Sequence, residues 1–324
     1  MKKDIKLFAL KPDEDLGRKV AQRLSIALSE LKARDFEDGE HKIRTMEGVN
    51  EKDVYVIHSL YGDLDASVND KLVKLVFFLG SLKDAGARRV NAIIPYLAYA
   101  RKDRKSKSRD PLNTQYLARM IEAVGTDRVL TVDVHNLQAY QNAFRCKTIH
   151  LEAQKLFADY LETNKKHEPL AVMSPDAGGV KRAQAFRALM QEKTKQEIPL
   201  IFMEKERSMG EVSGEALVGD VADKNVIIID DMISTGTTLS RAAAACKKAG
   251  AKSVRAMAIH GLFVKTAGEV LSAPEIEELI ICNTIPPFRL QNTEVSRKLK
   301  ALDISPLLAD AIHTLSEGGE LEMM

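Results

Sequence analysis

Residues 225–240 read NVIIIDDMISTGTTLS, and the fold turns on them. Residues 225–229 form a β-branched apolar run, the pattern of a strand buried on both faces of a parallel sheet. Asp230 and Asp231 close it. Ser234, Thr235, Gly236, Thr237 and Thr238 then lead into LSRAAAACKK, residues 239–248, an Ala-rich helix that stops at Gly250. A strand, an acidic pair, a loop of small residues and a helix N-terminus suit a sugar phosphate. Free N–H groups of the loop and first helical turn bind a phosphate dianion, assisted by the helix dipole. Carboxylates at the carboxyl end of a parallel strand stand where open α/β sheets bind ligands, placed to accept hydrogen bonds from vicinal ribose hydroxyls. No Gly-Lys-Ser/Thr follows, so this is not an NTPase P-loop. The plainer alternative is a strand whose aspartates cap the helix.

Outward from that stretch, strand and helix patterns alternate. Strands are expected at 5–9, 53–59, 90–96, 129–134, 170–173, 199–203, 253–260 and 279–283. Helices are expected at 13–31, 69–84, 113–124, 151–163, 180–189, 264–272 and 305–315, with the tail from 317 frayed. Residues 35–40 read as a polar turn, 138–147 as a loop and 204–218 as a long polar lid. Such alternation predicts an α/β protein with mainly parallel sheets flanked by helices. A weak repeat supports duplication: KDAGARRV at 83–90 matches KKAGAKSV at 247–254, with Gly86 and Gly250 both at helix ends. Only the second copy carries the acidic pair and phosphate loop, so one of two ribose-phosphate sites is degenerate.

The chain has 324 residues, enough for two domains of about 150 residues each. It is 45% hydrophobic, has no Trp and carries a formal charge of +2, which argues neither for nor against an anionic partner. Three scattered cysteines give no metal spacing and suit a reducing, cytoplasmic setting. The first residues contain no signal-peptide pattern, and no apolar run reaches the roughly 18 residues of a membrane span.

Four further places carry candidate chemistry. RKDRKSKSRD, residues 101–110, packs six cations into ten positions after a strand. It reads either as a solvated loop or as a polyphosphate site at a strand's carboxyl end. Nucleic acid is disfavoured because no aromatic is interleaved. Asp133, Val134 and His135 close another strand, where the imidazole either meets a Mg²⁺-phosphate or satisfies a loop carbonyl. Asp176 precedes Gly178-Gly179 and a helix, the pattern of a second anion nest facing a metal-bound pyrophosphate, or of an ordinary Asp-Gly turn. Lys205 and Arg207 lie two apart in the expected lid, either as surface charges or as cations that close on a phosphoryl group.

Seven stretches in this order resemble one family: DFEDGE (35–40), IPYLAYARKDRKSKSRDP (94–111), TVDVHN (131–136), SPDAGGVKRA (174–183), MEKERS (203–208), VIIIDDMISTGTT (226–238) and NTIPP (283–287). The chain resembles the ribose-phosphate diphosphokinases, or phosphoribosyl pyrophosphate synthetases, over nearly its whole length. The resemblance implies two phosphoribosyltransferase-type (Rossmann-like) domains. They span residues 1–147 (ATP side and subunit contacts) and 148–302 (ribose 5-phosphate site), with a C-terminal helix, 303–324, packing back on the first. It implies transfer of the β,γ-pyrophosphoryl group of Mg-ATP to the 1-hydroxyl of ribose 5-phosphate. Ser234, Thr235, Gly236, Thr237 and Thr238 would hold the 5-phosphate, and Asp230 and Asp231 the ribose hydroxyls. Lys205 and Arg207 would be the lid cations. Arg101, Lys102, Asp103 and His135 would meet ATP, and His135 and Asp176 would place Mg²⁺. Phe36, Asp38, Gly39 and Glu40 would contact the adenine from a neighbouring subunit of a homo-oligomer, a dimer or hexamer.

The chain departs from the family pattern in places. Lys102 stands for the usual Gln, Ala177 for the usual His, and STGTT for DTAGT or DTGGT. Thr237, in a glycine position, is expected to be strained by a positive φ. Two rival readings share the motifs. A non-catalytic regulatory homologue would dispense with the lid cations, which are retained. A phosphoribosyltransferase has no need of the ATP-side stretches.

Overall fold

The computed structural model describes residues 4–164, 169–208, 211–319 and 321, with side chains at all of these except 164, 205–208 and 211–215. The chain forms two units, Met1–Glu152 with Ile304–Met324, and Ala153–Asp303.

The first unit begins β1 (Ile5–Ala9), α1 (Glu14–Leu24), β2 (Leu31–Asp35), β3 (His41–Thr45), β4 (Asp53–Ile57) and α2 (Val68–Asp84). It continues β5 (Arg89–Ile94), α3 (Asn113–Ala123), β6 (Arg128–Val132), α4 (Leu137–Ala143) and β7 (Lys147–Leu151). The second unit holds α5 (Gln154–Asn164), β8 (Leu170–Ser174), α6 (Val180–Thr194), β9 (Leu200–Ser208), β10 (Glu211–Val218) and β11 (Asn225–Ile233). It ends with α7 (Thr237–Lys248), β12 (Ser253–Gly261), α8 (Ala267–Leu271), β13 (Glu278–Cys282) and β14 (Leu299–Leu302). The last helix, α9 (Ser305–Ser316), packs on α1 in the first unit, where Arg23 Nε donates to Ser305 Oγ at 3.0 Å.

Both main sheets follow from their strands. In the first unit β1-β4-β5-β6-β7 are all parallel. In the second the order is β10-β9-β8-β11-β12-β13-β14, parallel throughout except for β10. All five residues of β4 and of β8 are buried, as are Asn225–Ile229 of β11, which is why these read as continuous apolar runs. Among the described residues no helix is long and apolar enough to cross a membrane.

The repeat has a local geometric basis in each unit. Gly86 (φ 86°) donates to Lys83 O at 3.0 Å, and Ala87 to Leu82 O at 3.1 Å. Gly250 (φ 90°) donates to Lys247 O at 3.1 Å, and Ala251 to Cys246 O at 3.0 Å. Both are left-handed glycine helix ends that turn the chain into the next strand. Each glycine carbonyl then accepts an N–H from the residue two before the preceding strand, Glu51 at 2.9 Å and Asp223 at 3.0 Å.

Several expectations need correction. The helix expected at 13–31 stops at Leu24, where Ser25 turns left-handed (φ 55°). Residues 31–45 instead form the antiparallel hairpin β2–β3, whose polar, largely exposed strands lack an apolar face to read. The loop expected at 138–147 contains α4, capped by Asn136, whose side chain accepts from Ala139 N at 3.2 Å. Tyr140 anchors it, its hydroxyl donating to Val129 O at 2.7 Å. The long loop expected at 204–218 is the β9–β10 hairpin, with a register shift between Val212 and Gly214. Part of the expected frayed tail lies outside the described residues.

Asp53, at the start of β4, binds the first sheet's amino end together. Its Oδ1 accepts from Arg88 Nε at 2.9 Å and Arg89 Nε at 2.8 Å, and its other oxygen pairs with Arg89 Nη2. Burial opposes ionisation, but the hydrogen bonds from Arg89 and Arg88 prevail and hold the carboxyl below the usual carboxylate range. A depressed folded-state pKa stabilises above the unfolded value of about 3.9 and loses that contribution as pH falls through the folded one. Asp53→Asn is therefore expected to cost about 1–3 kcal/mol at neutral pH. In urea denaturation the gap to the parent should close below about pH 4; a gap constant with pH would refute the ion-pair account.

Candidate functional site

The carboxyl end of β11 delivers the acidic pair. Asp231 N donates to Asp230 Oδ1 at 2.8 Å, and Asp231 is buried. Arg182, in the first turn of α6, reaches both carboxylates, with Nη1 at 3.3 Å from Asp230 Oδ1 and 3.6 Å from Asp231 Oδ1. Burial pushes the Asp230 carboxyl well above the usual range, the Asp231 charge adds to this, and Arg182 opposes both.

The loop after β11 leads into a helix N-terminus with no side-chain cap. Gly236 (φ 79°) is the N-cap residue of α7, and α7 has no side-chain cap, so its first N–H groups have no capping side chain as partner. A Cβ on Gly236 would lie 2.7 Å from Leu271 Cγ, so only glycine fits. The strain expected at Thr237 does not arise: the left-handed residue is Gly236, and Thr237 is already helical. The loop's carbonyls are tied down, with Ile233 O accepting from Leu262 N (2.9 Å) and Ser234 O from Val264 N (2.9 Å). Thr235 Oγ1 and Thr237 Oγ1 lie 3.1 Å apart.

Asp176 closes a turn at the entry to α6. Its Oδ1 accepts from Gly179 N at 3.0 Å, and Ser174 Oγ donates to Asp176 O at 2.6 Å. Neither Gly178 nor Gly179 has a positive φ, so this is an Asp-closed helix entry and not a left-handed nest. Asp176 is exposed.

In the first unit the basic loop and the His135 turn are linked. Asn136 Nδ2 donates to Asp103 Oδ2 at 2.6 Å. Buried Asp133 (φ 41°) follows β6, and His135 beyond it is exposed. His150, which sequence reasoning missed, accepts from Val134 N at 3.2 Å; burial lowers its pKa to about 4, keeping it a neutral acceptor. Arg101 is exposed, but Lys102 is engaged: its Nζ donates to Asp110 Oδ2 at 2.9 Å. The same oxygen accepts from Ser106 N (3.0 Å) and Lys107 N (3.0 Å), so the cationic run is a folded loop.

Phe36, Asp38, Gly39 and Glu40 form the tip of the β2–β3 hairpin. Phe36 N donates to Glu40 O at 2.7 Å, Glu40 N to Asp38 Oδ1 at 3.1 Å, and Gly39 has φ 91°. The Phe36 ring is 38% exposed beneath the Arg34 guanidinium, which lies 4.8 Å from its centroid. Lys205 and Arg207 lie on β9, opposite Glu215 and Val212 of β10; their side chains lie outside the described residues. Arg182 was also missed as a site residue, although it stands in the SPDAGGVKRA stretch, six residues after Asp176.

Two family models match the chain. The N-terminal domain of ribose phosphate pyrophosphokinase matches residues 5–125, and the phosphoribosyl synthetase-associated domain matches residues 148–324. The ribose-phosphate pyrophosphokinase of Clostridium perfringens is 37% identical over 97% of this chain and 95% of its own length. The chain belongs to the ribose-phosphate pyrophosphokinase family. The namesake of Corynebacterium glutamicum is 35% identical over 98% of this chain and 95% of its own. The crystal structure of phosphoribosylpyrophosphate synthetase from Mycobacterium smegmatis superposes with a TM-score of 0.86 at 34% identity, covering 98% of this chain and all of that one. The first match spans β1 to α3, and the second contains the acidic pair and phosphate loop and runs on through α9.

Proposed function

We propose that this chain is a ribose-phosphate pyrophosphokinase that moves the β,γ-pyrophosphoryl group of ATP to the 1-hydroxyl of ribose 5-phosphate, yielding phosphoribosyl pyrophosphate and AMP. The observation that carries the reading is the uncapped N-terminus of α7, opened by left-handed Gly236 and placed directly after Asp230 and Asp231. In this reading the N–H groups and hydroxyls of Ser234, Thr235, Gly236, Thr237 and Thr238 hold the 5-phosphate, and the acidic pair orients the ribose hydroxyls. Arg101, Asp103 and His135 take the triphosphate, with Lys102 acting through the loop shape that its bond to Asp110 maintains. Phe36, Asp38, Gly39 and Glu40 serve the adenine of a neighbouring subunit, in a dimer or hexamer.

The nucleophile is a substrate hydroxyl, so catalysis rests on in-line positioning and charge neutralisation. Lys205 and Arg207 are assigned to the negative charge of the transferring group. Among the described residues no cluster of three or more metal-ligating side chains occurs. That fits Mg²⁺, which keeps several waters and arrives on nucleotide phosphates with one or two protein ligands. His135 and Asp176 would hold it, and when bound it would neutralise charge on the phosphates. A cytoplasmic location suits three free cysteines, two of them buried.

AMP formation from ATP is expected to require both ribose 5-phosphate and Mg²⁺, and to stop on adding a chelator. AMP production indifferent to ribose 5-phosphate, or none at all, would refute the assignment. Consumption of phosphoribosyl pyrophosphate with a nucleobase would mark a phosphoribosyltransferase instead.

A further inference from the structure

We propose that Arg182 is a positioning residue for the pentose, fixing the orientation of the Asp230 carboxyl and favouring its hydroxyl-accepting form. The proposal rests on the ribose 5-phosphate reading above and goes beyond it, because Arg182 is not among the residues assigned to substrate.

The geometry is specific. The side chain of Arg182 is 18% exposed, and one nitrogen, Nη1, spans both carboxylates at 3.3 and 3.6 Å. Its bond to Asp230 ends on Oδ1, as does the N–H bond from Asp231, and Oδ2 takes neither. Two donors thus order Oδ1, and the Asp231 carboxyl also bears on the Asp230 side chain. A Cβ on Gly179 would lie 2.7 Å from Ser174 Oγ and at an ordinary contact distance of 3.7 Å from Arg182 Nη1, so the bare backbone at the entry to α6 accommodates Ser174 beside Arg182. A cation in the first turn of a helix is opposed by the dipole, so helix stability does not account for an arginine here. The carboxylates it faces do.

Among the described residues, two charged groups act on Asp230. Asp231 follows it on β11, and Arg182 faces it from α6. On β12 the register partner is Ala258, and the nearest titratable side chain along that strand, His260, is bonded to Thr284 Oγ1 at 2.8 Å. From the β8–α6 turn, Asp176 directs Oδ1 to Gly179 N. Removing the guanidinium leaves two buried carboxylates in mutual repulsion, so one of them stays protonated to higher pH. A protonated Asp230 donates where it should accept.

The test is ribose 5-phosphate binding by calorimetry between pH 6 and 9 for the full-length parent, Arg182→Lys and Arg182→Gln. The ligand's own phosphate ionisation, near pH 6, is common to all three. Expected is weaker binding in Arg182→Gln at pH 7, by roughly 10- to 100-fold, recovering as pH rises. The midpoint of the acid limb should rise in the order parent, Arg182→Lys, Arg182→Gln. Should Arg182→Gln not fold, the parent and Arg182→Lys still decide the order. An unchanged midpoint in the variants, with or without a loss of affinity, overturns the proposal. A parent that does not bind ribose 5-phosphate at any pH overturns the underlying functional reading instead, as does a parent that binds it but forms no AMP.

Discussion

Lys205→Ala is expected to lower kcat by roughly 10²–10⁴-fold, the scale of losing a preorganised charge partner of a transition state. A pyrophosphoryl group in flight spreads negative charge over its equatorial oxygens, and this protein has no covalent chemistry to share that burden. Cations that meet the group only as charge develops act on kcat and leave ground-state affinity nearly untouched. Ribose 5-phosphate affinity should therefore stay within about threefold of the parent, since the residues assigned to it stand on β11, α7 and the loop between them, apart from the β9 strand that carries Lys205. The backbone of β9 pairs with β10 across this stretch, Lys205 opposite Glu215, so truncating one side chain leaves the ladder hydrogen bonds in place. Near-normal turnover in a folded Lys205→Ala variant would remove the lid-cation mechanism. A rise in the KM for ribose 5-phosphate at constant kcat would place Lys205 in ground-state binding instead.

What could be read from the sequence, and what could not, divides along physical lines. β11 was legible because five consecutive residues are buried on both faces, and α2 because a long apolar stripe follows Ser67, whose hydroxyl accepts from Asp70 N at 3.2 Å. The hairpin strands β2 and β3 were missed because they lack a buried, continuously apolar signature, and β10 because its sequence, EVSGEALV, has a glycine and charged residues interrupting any apolar run. β14 is only four residues long, with two of them exposed. In the site, the acidic pair and the loop were legible as a local motif. The position of the left-handed residue was not. Aligning STGTT with a glycine-bearing pattern put the strain on Thr237, but the turn places it one residue earlier, on the glycine present. Arg182 and His150 were missed for another reason. Each acts on a stretch that is distant in sequence, 48 residues from Asp230 in one case and 16 from Val134 in the other, and no spacing rule reports such contacts.

Gly236→Ala is expected to raise the KM for ribose 5-phosphate about 100- to 1,000-fold and to leave the KM for ATP within about threefold of the parent. Two costs combine. A residue with a Cβ held at φ 79° bears roughly 1–2 kcal/mol of backbone strain. The new methyl would also sit 2.7 Å from Leu271 Cγ and Cδ2, and Leu271 is fully buried under α7, so the core cannot yield cheaply. Overpacking of that kind typically costs about 1–3 kcal/mol. The loop can escape both only by rotating out of the left-handed region, which turns the first N–H groups of α7 away from the phosphate. The energy therefore appears as lost affinity, at about 1.4 kcal/mol per tenfold, and as a lowered Tm. A second substitution separates the two costs. Leu271→Ala removes the atoms that clash and leaves the φ strain, so the double variant should bind ribose 5-phosphate more tightly than Gly236→Ala alone. The coupling in that double-mutant cycle then measures the steric part. A Gly236→Ala protein that binds ribose 5-phosphate as the parent does would mean that the helix N-terminus is not where the phosphate sits.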